Sequence, residues 1–144
     1  MLLKTKENDI MKMLMEKEKI KQMQPLVLAM IGDSVQTLFV REFVAKNYGV
    51  KVNKMNKMVS SVVSAGAHFL TFKSIENELT EDEMDIARRA RNTHIHTKAK
   101  NFSFNEYIYA TALEALFGYL YLADEKERLD YFLNKSIQNI KVDF

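Results

Sequence analysis

YIYATALEALFGYLYL, residues 107–122, is apolar on nearly every side and carries one charge, Glu114. LVLAMIGDSVQTLFV, residues 26–40, repeats the arrangement around one charge, Asp33. The flanks of Gly32-Asp33 invite a hairpin reading. They do not alternate, however, and they include Leu28, Ala29, Met30 and Leu38, which predicts a helix over 26–47 stopped by Gly49. The later stretch holds Glu114 and is short and polar for a membrane span. Both stretches therefore predict helices buried on most sides, each with a carboxylate in its middle. A charge in such a place is costly unless it is paired, hydrogen-bonded or bound to a metal.

Working outward, the rest of the chain reads as helix too. Residues 8–24 form a loose stripe of Ile10, Met13, Leu14 and Ile20, with Asn8 as a cap and Pro25 as a break. Residues 53–78 place Met55, Met58, Val62, Ala65 and Phe69 on one side, around a small, polar middle of Ser60, Ser61, Ser64 and Gly66. Thr80 with Glu83, and Ser103 with Glu106, are capping-box patterns that start two further helices. Asp124 can cap a last helix, 125–140, with Leu129, Phe132, Leu133 and Ile137 inward. The expectation is an all-α domain of about six helices.

Composition bounds the function. One Pro and four Gly in 144 residues argue against a turn-rich β fold. No cysteine is present, which excludes disulfides, thiolate zinc sites and cysteine catalysis. No signal-peptide order of charge, apolar run and small-residue site is found. The chain reads as one soluble, cytoplasmic domain over 1–144, with 1–24 as an N-terminal helix or leader, and without a membrane partner. Its charge is unevenly placed. RRARNTHIHTKAKN, residues 88–101, holds Arg88, Arg89, Arg91, Lys98 and Lys100 and none of the chain's 19 acids. That segment suits phosphate contact, with Asn92 and Asn101 adding neutral hydrogen bonds. It equally suits a solvated helix end.

Asp33 and Glu114 are 81 residues apart, so only tertiary packing can unite them. Joined in one cleft, they offer oxygen ligands suited to Mg²⁺ or Mn²⁺, and such a site serves phosphodiester chemistry. Left apart, they are core carboxylates bonded to Ser, Thr, Tyr or Arg. His94 and His96 lack a third ligand, and His68 suits packing or hydrogen bonding.

At these residues the chain resembles the ribonuclease III catalytic domain, and more closely its reduced Mini-III branch. LAMIGDSV (28–35), VVSAGAH (62–68), RRARNTHIHTKAKN (88–101) and YIYATALEALFGYLYL (107–122) follow the branch's segments in order. The resemblance implies a homodimeric, ribonuclease III-like helical bundle that cleaves double-stranded RNA with Mg²⁺, Mn²⁺ being a substitute. It makes Asp33 and Glu114 the catalytic metal ligands. Arg88, Arg89, Arg91, Asn92, Lys100 and Asn101 match the branch's RNA-gripping block, in which Lys98 also lies. The implied substrate is precursor ribosomal RNA of the large (23S) subunit, and the implied products carry 5′-phosphate and 3′-hydroxyl ends. A large-subunit ribosomal protein joins the expected partners. Two supporting acids of full-length ribonuclease III are Ala29 and Thr111 here, a reduction the branch shares. Ala90, Ala99 and His68 replace a Gly, a Pro and a Gln of the branch pattern. The alternative is a non-catalytic, ribosome-associated RNA-binding protein on the same fold.

Overall fold

The structure, a computed structural model, describes residues 2–93 and 103–142. Its helices are α1 (Leu2–Lys21), α2 (Pro25–Tyr48), α3 (Val52–Val63), α4 (Ala65–Ile75), α5 (Glu81–Asn92), α6 (Ser103–Leu122) and α7 (Lys126–Ile137), with one 3₁₀ turn at Glu76–Glu78. No strand occurs among the described residues. The all-α expectation holds, with seven α-helices among the described residues where the pattern suggested six.

α6 is the axis of the bundle. Ala112, Leu113, Ala115, Leu116 and Phe117 are fully buried, so the helix is apolar all round because neighbours cover it all round. Each such Leu or Phe contributes roughly 1.5–3 kcal/mol by leaving water. α2, α4 and α5 pack directly around it. The main core joins Leu28 of α2, Phe72 and Ile75 of α4, Ile86 of α5, and Leu129, Phe132 and Leu133 of α7. A second, smaller core lies where Val40 and Val44 of α2 meet Met58, Val59 and Val62 of α3. Pro25 occupies the first turn of α2, where its missing N–H costs nothing, and Gly49 ends that helix at φ 54°.

Four local expectations need correction. α1 begins at Leu2, so Asn8 lies inside the helix and caps nothing. Of the predicted α1 stripe only Ile20 is buried; Ile10, Met13 and Leu14 are exposed. The helical pattern of 53–78 is two helices, because Ser64 adopts an extended backbone and its hydroxyl accepts from the Ala67 N–H at 3.2 Å, capping α4. Asp124 does not cap α7. It takes the left-handed conformation at φ 57°, which Asp tolerates better than most residues, and Glu125 stands at the N-cap. The Thr80–Glu83 capping box is present in both directions, at 3.2 and 2.9 Å. Buried Glu83 also receives Arg128 Nε at 3.0 Å, which ties α5 to α7. α6 begins at Ser103, within a residue of the start that the Ser103–Glu106 pattern indicates.

Candidate active site

The site exists because two helices touch backbone to backbone. A Cβ at position 32 would overlap the Glu114 carbonyl oxygen and come within 2.8 Å of the Gly118 nitrogen. A Cβ at position 118 would overlap the Leu28 carbonyl oxygen and lie 3.1 Å from the Gly32 nitrogen. Gly32 and Gly118 therefore let α2 and α6 cross without a side-chain layer between them. Asp33 follows Gly32 directly, and Glu114 is one turn before Gly118. The two acids, 81 residues apart in sequence, end within hydrogen-bonding reach of each other.

Asp33 is exposed and Glu114 is half-buried, so the pair sits at the surface edge of the crossing. Burial pushes the Glu114 carboxyl up to about 7, and the charge and hydrogen bonding of Asp33 push the same way. Two adjacent carboxylates in a partly dry place cannot both ionise cheaply unless a cation joins them. That requirement, and an all-oxygen donor set, fit a hard divalent ion. Among the described residues no group of three or more His, Asp or Glu side chains could hold a metal. The other positions would fall to water and phosphate, as Mg²⁺ usually arranges them. Ala29 and Thr111 lie one turn before Asp33 and Glu114, and both are buried. The Thr111 hydroxyl donates back to the Tyr107 carbonyl at 3.1 Å, which satisfies it within its own helix.

Two further residues frame the pair. Gln36 lies one turn beyond Asp33 on α2 and is fully buried; its Oε1 lies 2.6 Å from Nε2 of His68 on α4. Burial lowers His68 to about 4, against an upward pull from Asp33, so the ring is neutral at physiological pH. Gln36 Nε2 is buried without a partner. The hydrogen-bonding role read for His68 is met. Gln36 was missed, although a lone amide in an apolar stretch was the signal available.

The basic block divides. Arg88 is exposed and pairs with Asp85 at 2.6 Å. Arg89 turns inward and donates to the carbonyls of Lys21 and Met23, at 2.6 and 3.2 Å, closing the end of α1. Arg91 donates to the Tyr109 hydroxyl at 3.2 Å and lies 5.2 Å from that ring's centre, so it fastens α5 to α6. Asn92 is exposed at the end of α5. Lys98, Lys100 and Asn101, with His94 and His96, lie outside the described residues.

An all-helical domain built on this crossing is matched by the Ribonuclease III domain family over residues 26–125. The chain is 44% identical to Mini-ribonuclease 3 of Clostridium tetani over 115 residues, 79% of this chain and 76% of that protein. It is 42% identical to Mini-ribonuclease 3 of Thermoanaerobacter sp. over 128 residues, 89% and 90% of the two chains. A crystal structure of a Fusobacterium nucleatum protein matches the fold with a TM-score of 0.73 at 33% identity, over 81% of this chain and 93% of that one. The chain belongs to the ribonuclease III family, in its Mini-ribonuclease 3 branch, and is an endoribonuclease. No single helix among the described residues is long and apolar enough to cross a membrane.

Proposed function

We propose that the chain, as a single catalytic domain, cuts double-stranded RNA as a homodimer, each copy holding a divalent cation through Asp33 and Glu114. The observation that carries this reading is the convergence of those two carboxyls at the α2–α6 crossing. Mg²⁺, or Mn²⁺ in its place, would supply Lewis acidity and a route to activated water at the phosphodiester. The chain's own contribution is to hold the two acids together, and to keep Glu114 partly dry so that its affinity for charge is high. With a cation bound, Glu114 would be held in its ionised form and could serve as a ligand. His68 and Gln36 fix α4 against α2 beside the pair.

Grip on the duplex is assigned to the exposed end of α5, Arg88 and Asn92, and to the segment that follows it, with Lys98, Lys100 and Asn101. Arg89 and Arg91 support that end from inside. A-form RNA would be met mostly by shape and phosphate. The expected natural substrate is precursor ribosomal RNA of the large subunit.

A second copy has a surface to meet. Ile31, Val35, Leu38, Phe39, Tyr121 and Leu129 line an open apolar cleft of about 390 Å³. Leu38 in its lining and Met30 on the same helix are 67% and 76% exposed, although they sit in the apolar half of α2.

The substrate class is tested by incubating the protein and Mg²⁺ with a labelled RNA duplex, its single strands and a DNA duplex of the same sequence. Cutting confined to duplex RNA, abolished by EDTA and leaving 5′-phosphate ends, is the expected result. Cutting of single strands at equal rate, or cutting that survives EDTA, overturns the proposal.

A further inference from the structure

Between Glu42 and Glu76 the only formally charged side chains are Lys46, Lys51, Lys54, Lys57 and Lys73. Lys46 pairs with Glu42 at 2.9 Å and Lys73 with Glu76 at 3.6 Å. Lys51, Lys54 and Lys57 are exposed and have no acidic partner among the described residues. Three apart, they form one ridge at the start of α3, successive residues rising about 4.5 Å along the axis.

Nothing in the fold accounts for lysines there. The N-terminus of a helix carries partial positive charge and favours acids, yet the first turn of α3 has none. Lys51 stands at the N-cap, where its side chain accepts no hydrogen bond. Like charges at this spacing repel. The packing of α3 is done by Met58, Val59 and Val62.

The fold then adds a fourth ammonium. Ile140 and Val142 pack onto the α2–α3 core, and the Lys141 backbone N–H donates to Ser61 Oγ at 2.9 Å. This places Lys141 in one cleft of about 450 Å³ with Lys57, Asn56, Ser60 and Ser61. Two ammoniums without an acidic partner among the described residues, the Asn56 amide and the Ser60 hydroxyl match the oxygens of a phosphodiester. The Ser61 hydroxyl is engaged by the Met58 carbonyl at 2.6 Å, and Glu106 shares only the neighbouring cleft with Lys141.

The ridge is placed relative to the acid pair by α2. Lys51 follows the end of α2 at Tyr48, which is fifteen residues from Asp33, about 22 Å by helix rise, and α3 packs back along α2 through Met58, Val59 and Val62. α4 follows α3 directly and carries His68 into the field of Asp33. We propose that Lys51, Lys54, Lys57 and Lys141 form a second phosphate-binding surface, on other elements than the α5 block, which takes the RNA backbone flanking the cut. The inference rests on the duplex-RNA reading above.

The test is binding of a long (~30 base pairs) and a short (~10 base pairs) RNA duplex in EDTA, read by fluorescence anisotropy over a salt series. The proteins are the wild type, the triple variant Lys51→Gln/Lys54→Gln/Lys57→Gln, Lys141→Gln, and a charge-matched triple on α1, Lys6→Gln/Lys12→Gln/Lys19→Gln. The α3 triple is expected to weaken long-duplex binding roughly tenfold or more, to lower the log–log salt slope by about 2–3, and to leave the short duplex nearly unaffected. Lys141→Gln is expected to lower the slope by about 1. Helix content should stay at the wild-type level, since all three α3 side chains are exposed. An α3 triple that binds the long duplex like the wild type overturns the proposal, and so does an equal loss from the α1 triple. A wild type that binds neither duplex sinks the RNA reading itself, and this proposal with it.

Discussion

At the scale of single residues, Glu114 and its neighbour His68 titrate in opposite senses. Glu114 titrates near 7 in the folded protein against an ordinary 4.5. Between those values the folded state holds a proton that the unfolded chain has released, so Glu114's contribution to stability falls as pH rises. His68 titrates near 4 against an ordinary 6.5. Between those values the unfolded chain holds a proton that the folded state refuses, so His68's contribution falls as pH drops. From pH 4.5 to 6.5 the two slopes oppose each other. Removing either group should expose the other. Glu114→Gln should lose about 2–3 kcal/mol on acidification through this range relative to the wild type, and His68→Gln should gain about as much. Urea denaturation at several pH values checks this, and identical pH profiles for the two variants would refute it. Mg²⁺ at pH 8 should raise the melting temperature of the wild type more than that of Glu114→Gln, because only the wild type presents both carboxylates.

At the scale of elements, the crossing of α2 and α6 carries the site. Gly32→Ala should destabilise by about 3 kcal/mol or more, since the two backbones must separate. This outweighs the gain of about 1 kcal/mol that Ala brings to a helix interior. Gly118→Ala should behave alike, and a stability within 1 kcal/mol of wild type by chemical denaturation would contradict the contact. Much of this level was legible in the sequence. The apolar runs around Asp33 and Glu114 gave α2 and α6, and Thr80 with Glu83 gave the start of α5, because those signals are local. The break at Ser64 was not legible, since the apolar pattern runs across it and a hydroxyl cap leaves that period unchanged. Nor was the inward turn of Arg89 and Arg91. Their partners, the Lys21 and Met23 carbonyls and the Tyr109 hydroxyl, come from elsewhere in the chain. The meeting of Asp33 with Glu114 was likewise tertiary. From spacing alone it was one option beside two separate core acids, and the family resemblance favoured it.

At the scale of the whole molecule, function divides among surfaces of different chemistry. The apolar cleft at Leu38 and Tyr121 is assigned to a second copy, the α5 end and the α3 ridge to phosphates, and the acid pair to the cut. Leu38→Glu should convert a particle of twice the 16.8 kDa chain mass into one of single mass by light scattering, with helix content kept. A wild type that is already monomeric at micromolar concentration would remove the dimer from the account. In the proposed mechanism Asp33 and Glu114 act together on one cation. The most direct test is single-turnover cleavage of one labelled RNA duplex across a Mg²⁺ series by wild type, Asp33→Asn and Glu114→Gln, each first shown to melt cooperatively. Each variant is expected to lose roughly a thousandfold or more in rate, on the order of 4 kcal/mol in barrier, at every Mg²⁺ concentration. Either variant cutting the duplex within a few-fold of wild type would contradict the mechanism.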